Sequence, residues 1–280
     1  MKDNQNNTSN KKSRVLVNVI GIPLLLFTII AGNDFYEIPL FFLFVFIVMI
    51  LSAYEWNNLM KIDNRLIKTF NYLSILVMAI FLQLNLSVSY FLMLISIQLI
   101  LNIIIEILYQ SKKPVLNISY SLLGFIWIGF FIGSILLIRD SSFGLILTLS
   151  MFLSIWLCDT FAFVFGSHYG KSKLCPSVSP NKTWLGAIFG FLASFIVPLI
   201  VYKFFPINDS FMFIDYIIFG IIFGVFGQFG DLAESLFKRQ AKVKDTSNIL
   251  QGHGGILARF DSLSFATPIH YFFLYFRGLL

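Results

Sequence analysis

The sequence has few charged residues for its length. Only 12% of the 280 residues are Asp, Glu, Lys or Arg, whereas a soluble domain carries about 25%. So few charges cannot cover a water-facing surface, and 34 Phe residues are more than a globular core of this size can hold. Hydrophobic residues make up 58% of the chain, and the mean hydropathy is +0.83. The composition therefore excludes a water-soluble protein and predicts an integral membrane protein.

Cysteine is also scarce, with only two residues, Cys158 and Cys175. Both are expected at or near the cytoplasmic side, where a reducing environment disfavours a structural disulfide. Neither has the spacing of a metal-ligand motif. Cysteine chemistry is therefore not expected to define this protein.

Long apolar runs, by contrast, fill most of the chain. A helix that crosses the bilayer needs about 20 mostly apolar residues, and helices satisfy their own backbone groups in hydrocarbon. The fold class predicted is an all-α polytopic integral membrane protein with about nine transmembrane helices. The predicted spans are 15–31, 37–53, 70–84, 88–108, 118–138, 143–166, 185–202, 214–230 and 263–276.

The basic residues segregate between alternate loops. With the N-terminus in the cytoplasm, 17 of the 20 Lys and Arg residues fall on the inner side, and only Arg139, Lys203 and Arg277 fall outside. This bias predicts the orientation. The net charge of +6 therefore reflects membrane topology and contact with anionic lipid, and nucleic-acid binding is not expected. Short loops and small size suggest a multi-pass protein of a bacterial inner membrane.

The chain is expected to have three parts. Residues 1–13 form a polar tail, predicted to be disordered and cytoplasmic, which leads into an uncleaved first span. Residues 14–138 hold the N-terminal transmembrane helices. Residues 139–280 form a C-terminal transmembrane catalytic region, in which two cytoplasmic loops, 167–184 and 231–262, carry most residues suited to chemistry.

The N-terminal part offers few candidate functional residues. Glu55 and Glu106 lie near the inner ends of predicted spans, where a carboxylate can reach water or a lysine. We expect both to anchor their helices at the interface. The chain shows no internal repeat and no pair of broken helices, so a transporter is disfavoured.

The longer loop mixes acids with bases. Asp231, Glu234, Asp245 and Asp261 alternate with five Lys and Arg residues beside a Gly-rich turn. Carboxylates bind Mg²⁺, bases neutralise phosphate oxygens, and glycine lets backbone N–H groups approach phosphate. This combination suits phosphoryl or nucleotidyl transfer. A plain basic loop on the membrane surface is the alternative.

Three further features are ambiguous by themselves. The shorter loop places Ser179, Lys182 and Thr183 on a turn-rich segment that suits phosphate capture, or that simply follows the positive-inside rule. Asp159 interrupts an apolar span, which marks a functional candidate unless it lies close enough to the inner face to be hydrated. His253, in a His-Gly-Gly sequence, fits a substrate contact or a structural turn.

The segment SLFKRQAKVKDTSNILQGHGGILARFDS resembles the C-terminal signature of the phosphatidate cytidylyltransferase (CDP-diacylglycerol synthase) family. The residues at matching positions are Ser235, Lys238, Arg239, Lys244, Asp245, Gly252, His253, Gly254, Gly255, Arg259 and Asp261. The segment SPNKTW from Ser179 and the segment CDTFAFVFG around Asp159 resemble two further conserved regions of that family. Weaker similarity reaches Glu55 and Trp56.

The resemblance implies that CTP and phosphatidate react to give CDP-diacylglycerol and pyrophosphate at a cytoplasm-facing active site. It implies Mg²⁺, with or without a monovalent cation, and metal ligands at Asp231 and Asp261. A homodimer is an open expectation. The residues expected to take part in catalysis are Asp231, Lys238, Arg239, Lys244, Asp245, Arg259 and Asp261. Those expected to bind substrate are Asp159, Ser179, Lys182, Thr183, His253, Gly254 and Gly255.

Two positions depart from the family pattern. Ala258 stands where the family has an acid that resembles a partner of Asp231 in a metal site, and Leu185 stands where it has Glu. Asp261 is the residue that could replace the acid lost at 258. The alternatives are a family member without catalysis that binds lipid or nucleotide or serves as a scaffold, and a related CTP-dependent lipid kinase. The intact Lys-Arg, Lys-Asp and His-Gly-Gly pattern disfavours the kinase.

Overall fold

The computed structural model describes residues 19–32, 39–205, 207, 210–247 and 254–280, and the described chain is almost entirely helical. The helices are α1 Val19–Ala31, α2 Leu40–Leu59, α3 Arg65–Gln83, α4 Val88–Tyr109, α5 Pro114–Arg139, α6 Gly144–Tyr169, α7 Trp184–Phe204, α8 Phe213–Gln240 and α9 Leu257–Arg277. Helices α5 and α8 each contain a π-helical stretch, at Phe125–Ile132 and Ile222–Phe226.

Seven of the described helices, α2 to α8, are long and apolar enough to cross a membrane. This confirms the prediction of an all-α polytopic membrane protein. The other two predicted spans overlap α1, which is a shorter apolar helix, and α9. The total number of spans and their orientation stay predictions. The tail 1–13 lies outside the described residues.

The chain divides into two compact units. The first comprises Met1–Leu136 together with Val243–Arg259, and the second comprises Leu137–Lys242 together with Phe260–Leu280. The described residues of the segment 243–259, which carry several residues of the family signature, therefore pack within the unit built by the N-terminal helices.

A buried polar network lies inside the first unit. Glu106 is 4% exposed, and its Oε1 atom accepts hydrogen bonds from Asn64 Nδ2 at 3.2 Å and Asn117 Nδ2 at 2.9 Å. Ser111 donates to its other oxygen. The expectation that Glu106 reaches water or a lysine at the interface is wrong. Its carboxylate ties α4 to α5 and to the start of α3, because polar groups inside a membrane protein bind one another.

Small residues allow close helix packing in the second unit. A Cβ atom added to Gly186 would lie 2.5 Å from the carbonyl oxygen of Ala162, and one added to Gly190 would lie 2.8 Å from that of Cys158. Helix α7 therefore approaches the backbone of α6 more closely than any larger residue permits. This contact places the start of α7, and the chain before it, beside the part of α6 that carries Asp159.

Candidate active site

The chain between α6 and α7 folds into a β-hairpin. Strands β1, Lys173–Cys175, and β2, Ser179–Thr183, pair antiparallel. Thr183 ends β2 and caps α7, where its hydroxyl oxygen accepts a hydrogen bond from Gly186 N at 3.2 Å. Such a cap satisfies one of the free N–H groups of the first turn. Thr183 is 3% exposed and accordingly has a structural role in addition to any contact with substrate.

The hairpin directs Lys182 toward α8. The Nζ atom of Lys182 lies 2.7 Å from the Oδ2 atom of Asp231, and the two side chains are 26% and 34% exposed. A second contact joins the hairpin to the same helix, since Arg239 Nε donates to the carbonyl oxygen of Val178 at 3.2 Å. Both connections bring the two predicted loops together, as a shared phosphate site would require.

Residues 231–240 are helical. The hydropathy pattern ends a span at 230, but α8 continues to Gln240, because a helix does not have to end where its sequence becomes polar. This polar extension carries Asp231, then Glu234 three positions later and Lys238 four positions after that, followed directly by Arg239. Asp231 and Glu234 therefore lie on one face of the helix, with Lys238 a turn beyond.

Glycine brings α8 against α9 at this point. A Cβ atom added to Gly230 would lie 2.2 Å from the carbonyl oxygen of Asp261. Any side chain at 230 would push the two helices apart. The close approach sets Asp231, the next residue along α8, beside the backbone that carries Asp261.

Four acids interact at this contact. Asp231, Glu234 and Asp159 all act electrostatically on Asp261. Glu234 is fully buried and forms an ion pair with Lys238 one turn along α8. Asp159 is exposed on α6 and Asp261 is partly exposed. Carboxylates that interact in this way repel one another, and a nearby cation relieves the repulsion.

Carboxylates at this site suit a hard cation, but they do not form a complete cage. Within the described part of the chain, no group of three or more His, Cys, Asp or Glu side chains is arranged to hold a metal ion. Mg²⁺ usually takes one or two carboxylates, several waters and the phosphates of a substrate. The pair Asp231 and Asp261 fits that pattern, so the donor chemistry is compatible with the expected metal.

The other predicted residues that the structure describes and that are not yet named belong to the first unit. Lys244, Asp245 and Arg259 are exposed, and Gly255 is buried. Gly254 has a φ of +74°, which is the left-handed region that favours glycine. His253 lies outside the described residues, as does Gly252.

Glu55 is a residue that the sequence reasoning misplaced. It is fully buried near the C-terminal end of α2. Its two carboxylate oxygens accept hydrogen bonds from Ser247 Oγ at 2.5 Å, Thr246 Oγ1 at 3.3 Å, Ile256 N at 2.8 Å and Leu257 N at 2.9 Å. Interfacial anchoring was the wrong interpretation. The sequence signal for a role beyond anchoring is the similarity of Glu55 and Trp56 to the family.

The two departures from the family pattern lie at helix starts. Ala258 is in the first turn of α9, and Leu185 is in the first turn of α7. Both are partly exposed. Neither side chain can bind a cation or accept a hydrogen bond. Asp261, one turn after Ala258, is the acid of α9 that interacts with Asp231.

Comparison with known proteins bears on these observations. Residues 12–277 match the model of the cytidylyltransferase family. A protein of Staphylococcus saprophyticus named phosphatidate cytidylyltransferase is 42% identical over 163 residues, which are 58% of this chain and 61% of the relative. A protein of the same name from Staphylococcus aureus strain COL is 42% identical over 165 residues, with the same coverage of each chain. The matched stretch thus spans about three fifths of these relatives. Because the family match covers nearly the whole sequence, the chain belongs to the cytidylyltransferase family.

Proposed function

We propose that this protein transfers CMP from CTP to phosphatidate, which gives CDP-diacylglycerol and pyrophosphate. The observation that carries the proposal is the ion pair of Lys182 with Asp231, together with the close contact of the neighbouring Gly230 with the backbone of Asp261. These contacts bring a base suited to phosphate together with two acids suited to a metal. Family membership and the names of the staphylococcal relatives support the same reaction.

The reaction needs little acid–base chemistry from the protein. A phosphate oxygen of phosphatidate, already an anion, attacks the α-phosphorus of CTP and forms the new P–O bond. The bond from the α-phosphorus to the bridging oxygen of the β-phosphate breaks, and pyrophosphate leaves with that electron pair. No proton has to be removed from the nucleophile. The work of the site is to hold two anions in line and to neutralise the leaving group.

The bases of the second unit can supply that neutralisation. Lys182 on the hairpin and Arg239 at the end of α8 are at least partly exposed and can reach a phosphate. Lys238 is bound to buried Glu234, which fixes its position. Lys244 and Arg259 are exposed and, because they match the family signature, are proposed to bind phosphate groups of CTP.

Asp231 and Asp261 would hold the Mg²⁺ that the reaction is expected to need. Bound there, the metal would supply positive charge that stabilises the phosphate oxygens. Asp159 lies within electrostatic range of Asp231 and would favour a cation at the same place. A monovalent cation and a homodimer are further predictions.

The protein is a multi-pass membrane protein by its seven membrane-length helices, and the relatives named above come from bacteria. We place it in the bacterial inner membrane with its N-terminus in the cytoplasm. In that orientation CTP reaches the site from the cytosol, and phosphatidate enters sideways from the bilayer.

The test is CDP-diacylglycerol formation by the purified protein from CTP and phosphatidate, across a Mg²⁺ titration. We expect product that depends on Mg²⁺ and on both substrates. An absence of product at every Mg²⁺ concentration, from protein with a cooperative thermal transition, would favour the non-catalytic family member instead.

A further inference from the structure

Glu55 binds the chain on both sides of residues 248–253. Its four hydrogen-bond donors come in two pairs, Thr246 and Ser247 before those residues, and Ile256 and Leu257 after them. A single side chain therefore holds the end of the preceding described segment and the start of α9.

The chemistry of these contacts is that of a buried charge. Glu55 is fully buried, and within the part of the chain that the structure describes no Lys or Arg forms an ion pair with it. A buried carboxylate without a cation is costly unless hydrogen bonds satisfy its oxygens. Here each oxygen accepts two. The amides of Ile256 and Leu257 belong to the start of α9, whose dipole favours a negative charge.

Glycine is required where Glu55 meets the turn. A Cβ atom added to Gly255 would lie 2.2 Å from Glu55 Oε2 and 2.0 Å from Thr246 Oγ1. The carboxylate thus packs directly on the Gly255 backbone. Gly254, with its left-handed φ, allows the turn that brings Gly255 there.

We propose that Glu55 is a positioning residue for nucleotide binding. By fixing the residues on both sides of the segment, it orients Lys244, Asp245 and the Gly254–Gly255 backbone for the phosphates of CTP. Glu55 itself does not touch the substrate. The inference rests on the proposed function, in which Lys244 binds a phosphate of CTP.

The test compares Glu55→Gln with Glu106→Gln. Both residues are buried carboxylates of the first unit near the C-terminal end of a helix. Among the described residues, Glu106 bonds to Asn64, Ser111 and Asn117 and not to residues 244–247 or 254–257. Glutamine keeps the size of glutamate, but it replaces one carboxylate oxygen of Glu55, which accepts two hydrogen bonds, with an NH₂ group that can only donate. Steady-state kinetics are measured for CTP and for phosphatidate separately, and amide hydrogen exchange is measured at Ile256 and Leu257.

We expect Glu55→Gln to raise the KM for CTP by at least about tenfold, the size of one lost charge-assisted hydrogen bond. The KM for phosphatidate should stay near the wild-type value, and the amides of Ile256 and Leu257 should exchange faster. Glu106→Gln should leave the KM for CTP unchanged. If Glu55 had only a structural role, the KM values for CTP and for phosphatidate would change equally, or the KM values would change in the same way in both variants. Either result would overturn the proposal.

Two further measurements test the role of Glu55 if the variant does not fold or if the wild-type protein is inactive. If Glu55→Gln does not fold, Ser247→Ala, which removes a single donor, must still raise the KM for CTP, and an unchanged KM would reject the positioning role. If the wild-type protein forms no product, CTP binding is measured by equilibrium dialysis. Weaker binding by Glu55→Gln then supports the inference while the proposed function fails. No CTP binding by the wild type rejects both.

Discussion

The Nζ atom of Lys182 lies 2.7 Å from the Oδ2 atom of Asp231, and this ion pair joins the β-hairpin to the polar end of α8. Both side chains are partly exposed, and exposed ion pairs contribute only about 0–1 kcal/mol to stability. The pair is therefore poorly explained by stability. It is consistent with the proposed function, in which Lys182 would bind phosphate and Asp231 would bind a metal ion.

Asp231→Asn should abolish activity, with a loss of at least about 100-fold in kcat/KM. The amide keeps the size of the side chain but cannot offer a charged oxygen to Mg²⁺. The same variant should also lose the rise in melting temperature that Mg²⁺ gives the wild-type protein, since binding to the folded state stabilises it. Asp140→Asn changes an exposed acid in the loop after α5 and should behave as wild type. Full turnover by Asp231→Asn would reject the metal assignment.

Lys182→Gln should lower the activity of the protein much more than its stability. Its ion pair is exposed, so the free energy of unfolding should fall by no more than about 1 kcal/mol. Activity should fall by about 100-fold, because a charge that neutralises phosphate is removed. The matched control is Lys173→Gln, an exposed lysine on the other strand of the hairpin. A large drop in melting temperature together with unchanged activity would contradict the role proposed for Lys182.

The membrane helices could be predicted from the sequence because their signal is local. Each of the seven membrane-length helices contains a run of apolar residues about as long as the bilayer is thick. The error at the end of α8 has the same origin. Hydropathy marks where the apolar run ends, and the helix continues to Gln240 through residues that pair along its own face, such as Glu234 with Lys238.

The role of Glu55 could not be derived from spacing or periodicity. Its partners lie 191 to 202 residues away in the chain, and one acid near the end of an apolar run looks like an interfacial anchor. The hairpin was missed for another reason. Its strands have three and five residues in a polar loop, and no alternation of apolar residues marks strands so short. The signature residues could be predicted from the sequence because the motif that carries them lies within one short segment of the chain.

Gly230→Ala should test whether the contact of α8 with α9 builds the site. The added Cβ atom would meet the carbonyl oxygen of Asp261 at 2.2 Å, and backbone atoms cannot give way cheaply. We expect the free energy of unfolding to fall by about 1–3 kcal/mol, and the Mg²⁺ concentration needed for half-maximal activity to rise. Gly21→Ala is the control, because a Cβ atom there meets nothing within 4 Å. Equal behaviour of the two variants would show that this contact does not position Asp261.

Ala258→Asp should reveal whether this chain works with a reduced set of acids. The family pattern that the sequence resembles has an acid at this position, and in this protein Asp261 is the acid of α9 that interacts with Asp231. If position 258 remains within reach of the metal, the new carboxylate should lower the Mg²⁺ concentration for half-maximal activity by about tenfold and raise the rate at low Mg²⁺. Ala258→Asn adds the same volume without the charge and should have no such effect. If the Asp and Asn variants have the same Mg²⁺ dependence, position 258 is not a ligand here, and the metal site has been rebuilt around Asp231 and Asp261.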